Sequence, residues 1–356
     1  MCHNVTGYSN RLQAFETMTK KSSSVTIRDV ARQAGVSVAT VSRYINHNAP
    51  VSLEAAERLD NVMAELNYLP HAAARHLASR KTRVVGLLLT NMHNDFFAPL
   101  LSGIESVVSQ QGYNLLVATH RIVLNNDFQP PIGPHNTDGL LVFADSLKDE
   151  QLYQLHKKKF PVVLIHRTPP DDLPLPFVTV ENKAATRAII DHLIEVHGKR
   201  RIIFMRGPIH QEDSHWREMG YKASLQAHGI DYDPALVLAG EFEREVAQES
   251  MSAFLSSKPP EFDAVFAGDD EAAIGVFAAL QQAGLRVPEE IAVAGFDDQR
   301  MSPFLNPPLT TVRAPTEEVG RIAGQQLFKL LQGLPVDPVS LLPTEIIIRR
   351  SCGCNH

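Results

Sequence analysis

Apolar positions recur with two different periods along this chain, and the change falls near residue 84. Before it the spacing is helical. Ile27, Val30, Ala31 and Ala34 stand at i, i+3, i+4 and i+7, which predicts a short helix with one buried stripe. Thr26 and Asp29 form a capping box at its start, and Gly35 is placed to end it in a left-handed turn. Ser37 then caps a second short helix with Val41 and Ile45 inward. A third begins at Ser52, with Ala55, Leu59, Val62 or Met63, and Leu66 inward. Two short helices joined by a glycine-bearing turn make a helix-turn-helix, the arrangement that lays its second helix in a major groove. Residues 1–23 show no periodicity and are rich in Ser, Thr and Asn, so they read as a disordered tail.

From Val84 the pattern alternates between continuous apolar runs and amphipathic stretches. VVGLLLT, NLLVATH, DGLLVF, PVVLIH, RRIIFMRG, DAVFAG and IAVAGFDD read as strands, mostly buried and parallel; APLLSGIESVVSQQG reads as a helix ending at a glycine. This alternation predicts a doubly wound α/β core. Ligands of such folds sit beyond the carboxyl ends of the strands. The residues there are Asn91, His93, Asn94 and Asp95, then His166 and Arg167, then Asp269–Asp270 and Asp297–Asp298, with Phe96 and Phe97 nearby. Carboxylates and amides for hydroxyls, with an aromatic face for C–H groups, suit a sugar. Each aspartate is equally suited to capping a helix, the role expected for Asp270 and Asp298.

Charge divides the chain in the same place. Residues 20–83 carry ten Lys/Arg against five Asp/Glu, whereas the whole chain has a net charge of −6. A small basic unit on a large acidic one fits a polyanion-binding head with a separate second task. With 44% hydrophobic and 21% charged residues, the 356-residue chain has ordinary globular composition. No apolar run is long enough for a membrane span, and the N-terminus lacks a secretory core, so a cytoplasmic protein is expected. Of three cysteines, Cys352 and Cys354 belong to a Cys-x-Cys-x-His ending. A cluster of three at a terminus is a weak metal signal, and the end is expected to be exposed and dispensable, with no metal or cofactor bound.

VTIRDVARQAGVSVATVSRYIN, followed by ELNYLPHAAARHLASRKTRVVGLLL, resembles the opening of the lactose-repressor/galactose-repressor family of bacterial regulators. IEVHGKRRIIFMRGP, SHWREMGYKASL, AGDDEAAIGVFAAL, LRVPEEIAVAGFDD and PPLTTVRAPTEEVGRIA continue the likeness in order over about nine tenths of the chain. The resemblance implies an all-α helix-turn-helix head (24–69), a hinge linker (70–82) whose Pro70–Ser79 stretch folds on DNA, and a two-lobed, periplasmic-binding-protein-like core (83–356). The first lobe is expected to take about 83–179 and 310–341, the second about 180–309 and 342–356.

Operator contacts are expected from Thr26, Ser37, Val38, Ala39, Thr40, Ser42 and Arg43, and from His71, Ala74 and Leu77 in the hinge. Arg43 suits a bidentate guanine contact, Val38 a thymine methyl, and Ser37, Thr40 and Ser42 phosphates; Leu77 matches the family's minor-groove wedge. Asn94, Phe97, Arg167, Arg217, Asp269 and Asp297 are expected to hold the effector, while Trp216 points elsewhere. The chain departs from the family at three places. HRIVLNNDFQPPIGPHNT stands where a helix is usual, Glu181 replaces an aspartate, and His197–Gly198 reverse their common order. The expected protein is a dimeric, ligand-switched regulator on a palindromic operator. A solute receptor without a DNA role, or a hydrolase using Asp269 and Asp297 as paired carboxylates, are the competing readings.

Overall fold

The computed structural model describes residues 25–46, 49–68, 81–120, 130–257 and 259–355. The tail 1–23 and the hinge residues His71, Ala74 and Leu77 lie outside them. The chain divides into two units, Met1–Lys81 and Thr82–His356.

In the first unit, α1 (Ile27–Ala34), α2 (Val38–Asn46) and α3 (Leu53–Glu65) enclose a small core of Val30, Ala31, Ala34, Val41, Leu59 and Val62. The local signals act as expected. The Asp29 carboxylate accepts from the Thr26 N–H at 3.0 Å and from its hydroxyl at 2.6 Å. Gly35 ends α1 at φ 67°, a conformation that costs glycine little. Ser37 Oγ accepts from the Thr40 N–H at 3.1 Å, and Ser52 Oγ from the Ala55 N–H at 3.4 Å.

The second unit holds two lobes. In chain order its elements begin with β1 (Val84–Leu89), α4 (Phe97–Gln110), β2 (Asn114–Thr119), β3 (Gly139–Phe143), α5 (Asp149–Lys157), β4 (Val162–Ile165) and β5 (Phe177–Val180). They continue with α6 (Asn182–Glu195), β6 (Ile202–Arg206), α7 (Glu212–Ala227), β7 (Val237–Ala239), α8 (Arg244–Ser256), β8 (Ala264–Ala267), α9 (Asp270–Gln282) and β9 (Ala292–Asp297). The chain closes with β10 (Thr310–Arg313), α10 (Thr316–Leu331), β11 (Val339–Leu342) and β12 (Glu345–Ile347). One sheet has the order β11-β5-β4-β3-β1-β2 and is parallel throughout. The other runs β12-β10-β9-β8-β6-β7, with only the final β10–β12 pair antiparallel. Both reverse strand order beside their first strand, which opens a crevice at the strand ends there. Strands covered on both faces explain the unbroken apolar runs; β3, β4 and β8 are buried at every position.

Two expectations are corrected. Thr310–Arg313 pairs with β9 (Thr310 opposite Ala294, Arg313 opposite Asp297), so 310–313 belongs to the second lobe and the return to the first begins with α10. The chain end is not a loose appendage. Ser351 and Cys352 are buried in a single 3₁₀ turn, Arg350–Cys352, and Ser351 Oγ donates to Val293 O at 2.6 Å. The described part of the unusual 120–137 stretch is a turn in which Thr137 Oγ1 donates to Gly133 O at 2.9 Å. Ile132 from this turn is buried over Gly86 of β1, where a Cβ would come within 3.0 Å of its methyl.

Candidate functional site

The two crevices face each other across a cavity of about 290 Å³. One side comes from the ends of β1 and β3 and the start of α4: Asn94, Phe96, Phe97 and Phe143, with Thr90, Asn91 and Asp145 beside them. Their rings pack edge-on, with centroids 5.2 Å apart for Phe97–Phe143 and 5.3 Å for Phe96–Phe97. Asn94 Oδ1 is buried and accepts no hydrogen bond from the protein. A buried acceptor in that state costs about 1–3 kcal/mol unless a partner arrives.

The opposite side is charged. Arg217, on α7, is 3% exposed, with its guanidinium carbon 3.7 Å from the Phe296 ring centroid and 5.3 Å from that of Phe242. Its Nε donates to Asn182 Oδ1 at 2.9 Å, Nη1 to Gly268 O at 2.5 Å and Nη2 to Asp297 Oδ1 at 3.4 Å. Asn182 also donates to Asp213 Oδ1 at 2.8 Å, so one amide orients the cation and a neighbouring carboxylate together. Phe242 reaches this position because Gly207 leaves room for it; a Cβ there would stand 2.1 Å from the ring.

Three carboxylates surround the single guanidinium, and their environments separate their acidities. Burial pushes Asp213 up, but His166 (Nδ1 to Oδ2, 2.7 Å), Arg217 and Asn182 more than offset this and hold it below the usual range. Burial raises Asp269 to about 7 against the Ala272 N–H, which donates to it at 2.8 Å as the cap of α9, and against Arg217. Burial also raises Asp297 well above the ordinary value; Arg217 opposes this, and Asp269 and Asp270 add to it. Asp269 therefore caps a helix and faces the cavity at once.

The lobes touch directly at the cavity rim. Glu212 accepts from the Thr168 N–H at 2.5 Å and from its hydroxyl at 2.6 Å, and His210 Nε2 stands 2.8 Å from Asp145 Oδ2. Among the described residues nine non-glycine positions have positive φ; three of them (Glu241, Phe242 and Asp297) line the cavity, and His166, at φ 56°, contacts the lining residue Asp213.

Asn94, Phe97, Arg217, Asp269 and Asp297 thus meet in one cavity. Arg167 does not line it. Its guanidinium turns back onto Leu147 O at 2.5 Å and onto the Asp149 carboxylate. Asp270 and Asp298 are structural. The former accepts from Gln299 N, Ser302 Oγ and Thr311 Oγ1 at 2.8, 2.5 and 2.6 Å, and the latter pairs with Arg313 and Arg349. Trp216 donates to Glu212 at 3.0 Å, away from the cavity lining. Asp213, Asn182 and Phe242 were not foreseen. Asp213 precedes Arg217 by one helical turn, a legible signal; Phe242 sits in an irregular loop at φ 57° and gives none.

In the first unit, the outer face of α2 presents Val38, Ala39 and Arg43 to solvent, Val38 at 43% exposure. Ser37 and Thr40 place their hydroxyls 2.9 Å apart at the helix start. Thr26 is exposed, with its hydroxyl proton already given to Asp29. This is a small helical unit with a short, mixed, donor-bearing face on its second helix, as a major-groove reader requires.

Comparison with known proteins agrees with both units. Residues 26–71 match the profile of the bacterial regulatory proteins of the lacI family, and 190–352 match a periplasmic binding protein-like domain. The catabolite control protein A of Priestia megaterium is 32% identical over 338 residues, covering 92% of this chain and 99% of its own. The ribose operon repressor of Escherichia coli K12 is 32% identical over 332 residues, 91% of this chain and 98% of its own. Among solved structures, the lac repressor dimer bound to operator superposes with a TM-score of 0.76 at 25% identity, covering 92% of this chain and 99% of its own. A cellobiose complex of the regulator CelR gives 0.67 at 30% identity with the same coverage. The chain belongs to the LacI family and is a DNA-binding transcriptional regulator with a helix-turn-helix head. Among the described residues no helix is long and apolar enough to cross a membrane.

Proposed function

We propose that this regulator binds a palindromic operator as a dimer and that a monosaccharide-sized polyhydroxylated ligand in the lobe cavity sets its affinity for that operator. The observation that carries the ligand class is Arg217, clamped between two phenylalanine rings and ringed by Asp213, Asp269 and Asp297, opposite an aromatic wall. Three of its five N–H donors are occupied by Asn182, Gly268 and Asp297; the remainder, with the carboxylates, suit vicinal hydroxyls. A cavity of about 290 Å³ lies at the small end of ligand pockets. The ribose repressor and the cellobiose-bound CelR support a sugar by likeness.

Ligand binding changes the contacts between lobes at Thr168–Glu212 and Asp145–His210, and so the geometry delivered to the 70–82 linker. A coupling of this kind amounts to about 1–3 kcal/mol. In this reading the carboxylates bind hydroxyls and do no chemistry. Turnover of chromogenic glycosides that disappears in Asp297→Asn would restore the hydrolase reading.

A thermal-shift screen against sugars, sugar phosphates and nucleosides tests the ligand class. A true effector at a hundred times its Kd stabilises by about 2.7 kcal/mol. A panel without a hit removes the sugar reading. On the DNA side, Arg43→Ala is expected to weaken operator binding by about 1–3 kcal/mol and relax preference at one base pair per half-site. Unchanged binding in a gel-shift titration would place the reading register elsewhere on α2.

A further inference from the structure

Far along α6 from the cleft, four side chains that no part of the regulatory reading uses come together. His192 lies in the last turn of α6 and His197 just beyond it, while Cys352 and Cys354 end the chain. One ligand atom from each lies within 4.8 Å of every other. Cys354 Sγ stands 3.3 Å from His197 Nε2 and 3.7 Å from His192 Nε2. In a zinc tetrahedron with Zn–S about 2.3 Å and Zn–N about 2.0 Å, sulfur and nitrogen are about 3.5 Å apart, so these separations bracket the required edge.

From this geometry we infer that His192, His197, Cys352 and Cys354 bind one zinc ion, which fastens the end of the chain to α6. This replaces the expectation of a metal-free, dispensable tail.

The surroundings fit. Two thiolates with two imidazoles form a closed Cys2His2 set, which favours zinc over magnesium or calcium. The Thr310 hydroxyl lies 3.1 Å from Cys352 Sγ, a contact that orients a thiolate ligand. Gly353 adopts φ 108° between the cysteines, and a Cβ there would stand 3.2 Å from His197 Nδ1, so the small residue lets the ring close on the sulfurs. The reversed His197–Gly198 order acquires a reason: Gly198 takes the left-handed turn at φ 66°, and the histidine one place earlier faces Cys354. Binding displaces the thiol protons of the ligating cysteines.

The test uses untagged full-length protein carrying Cys2→Ser, so that the remaining thiols belong to the site. Elemental analysis after gel filtration is expected to find one zinc per chain. Replacement by cobalt should give thiolate-to-cobalt charge transfer and intense tetrahedral d–d bands. Cys354→Ser and His197→Ala should each abolish those bands while the circular dichroism stays native. A chelator should lower Tm of the parent by about 5 °C or more, and that of the variants by much less. Zinc below about 0.1 equivalent together with only weak octahedral cobalt bands would overturn the site, as would a parental cobalt spectrum in Cys354→Ser. The parent spectrum decides the question even if a variant fails to fold.

Discussion

The two lobes share a scaffold and differ in what they bring to the cavity. Each reverses strand order beside its first strand, and each packs helices backbone to backbone through a glycine. Gly103 of α4 lies under Glu317 of α10, and Gly220 of α7 lies under Lys183 of α6. Yet the first lobe offers three rings beside Thr90, two amides (Asn91 and Asn94) and one carboxylate (Asp145), while the second offers a guanidinium, five carboxylates and the single phenyl ring of Phe242. The first wall supplies most of the aromatic area; the second supplies most of the directional, charge-assisted hydrogen bonds. A ligand must satisfy both, so closure on it links the lobes through unlike interactions that respond differently to mutation, salt and pH.

Breaking the charged wall should have the largest effect. Arg217→Ala is expected to weaken effector binding at least about a hundredfold, roughly 3 kcal/mol, because two or more charge-assisted bonds vanish. Calorimetric titration measures it. A loss under tenfold would mean the charged wall serves the fold and leaves the ligand to the rings.

Next comes the buried proton. The Asp269 carboxyl keeps its proton up to about pH 7 in the folded protein, whereas the unfolded chain releases it near 3.8. The unfolded state is therefore increasingly favoured as pH climbs between these values, and this contribution to stability is gone above about 7. Asn keeps the cap on Ala272 and cannot ionise. Asp269→Asn should match the parent near pH 4 and exceed it by about 2–4 kcal/mol at pH 8, read by urea unfolding. Parallel pH profiles would show that Asp269 ionises normally.

The aromatic wall should matter less. Phe96, edge-on to Phe97 and 5.8 Å from Phe143, is only partly buried. Phe96→Ala is expected to cost the effector about 1–2 kcal/mol through lost apolar contact, with little change in the salt dependence of binding. If the salt dependence moves as much as in Arg217→Ala, the division between the walls is wrong.

Much of this arrangement was readable from the chain because its signals are local. Thr26-x-x-Asp29, Gly35 and Ser52 announce helix ends through single hydrogen bonds or one left-handed residue. Buried parallel strands appear as apolar runs because both faces are covered. Arg167 was misplaced for a physical reason: it follows a strand end, but neighbouring residues point oppositely. His166, at φ 56°, takes the direction of Asp213, and Arg167 turns toward Asp149. The strand Thr310–Arg313 could not be assigned to a lobe, since membership depends on pairing with β9 and not on its own sequence. The histidine half of the Cys2His2 cluster was equally hidden: Cys352 and Cys354 stand together in the sequence, but His192 and His197 meet them only in the fold, where β12 pairs with β10 and Ser351 is held by Val293.

The smallest expected effect isolates the buried polar atom of the first wall that has no hydrogen-bond partner in the protein. Asn94 Oδ1 is buried without a protein donor, so in the absence of ligand it carries a desolvation cost and returns nothing. Removing it should leave the ligand-free protein within about 0.5 kcal/mol of the parent, the lost packing of the side chain offsetting the relief. A ligand hydroxyl that donates to this oxygen makes the balance different in the complex, where Asn94→Ala should cost about 1 kcal/mol, or five- to tenfold in Kd. The signature is therefore a split between two measurements: unfolding without ligand unchanged, affinity reduced. A fall in both would mean that Asn94 supports the Phe96–Phe97 turn and leaves recognition to the second lobe. A fall in neither would leave the polar recognition of the first wall to Thr90, Asn91 and Asp145.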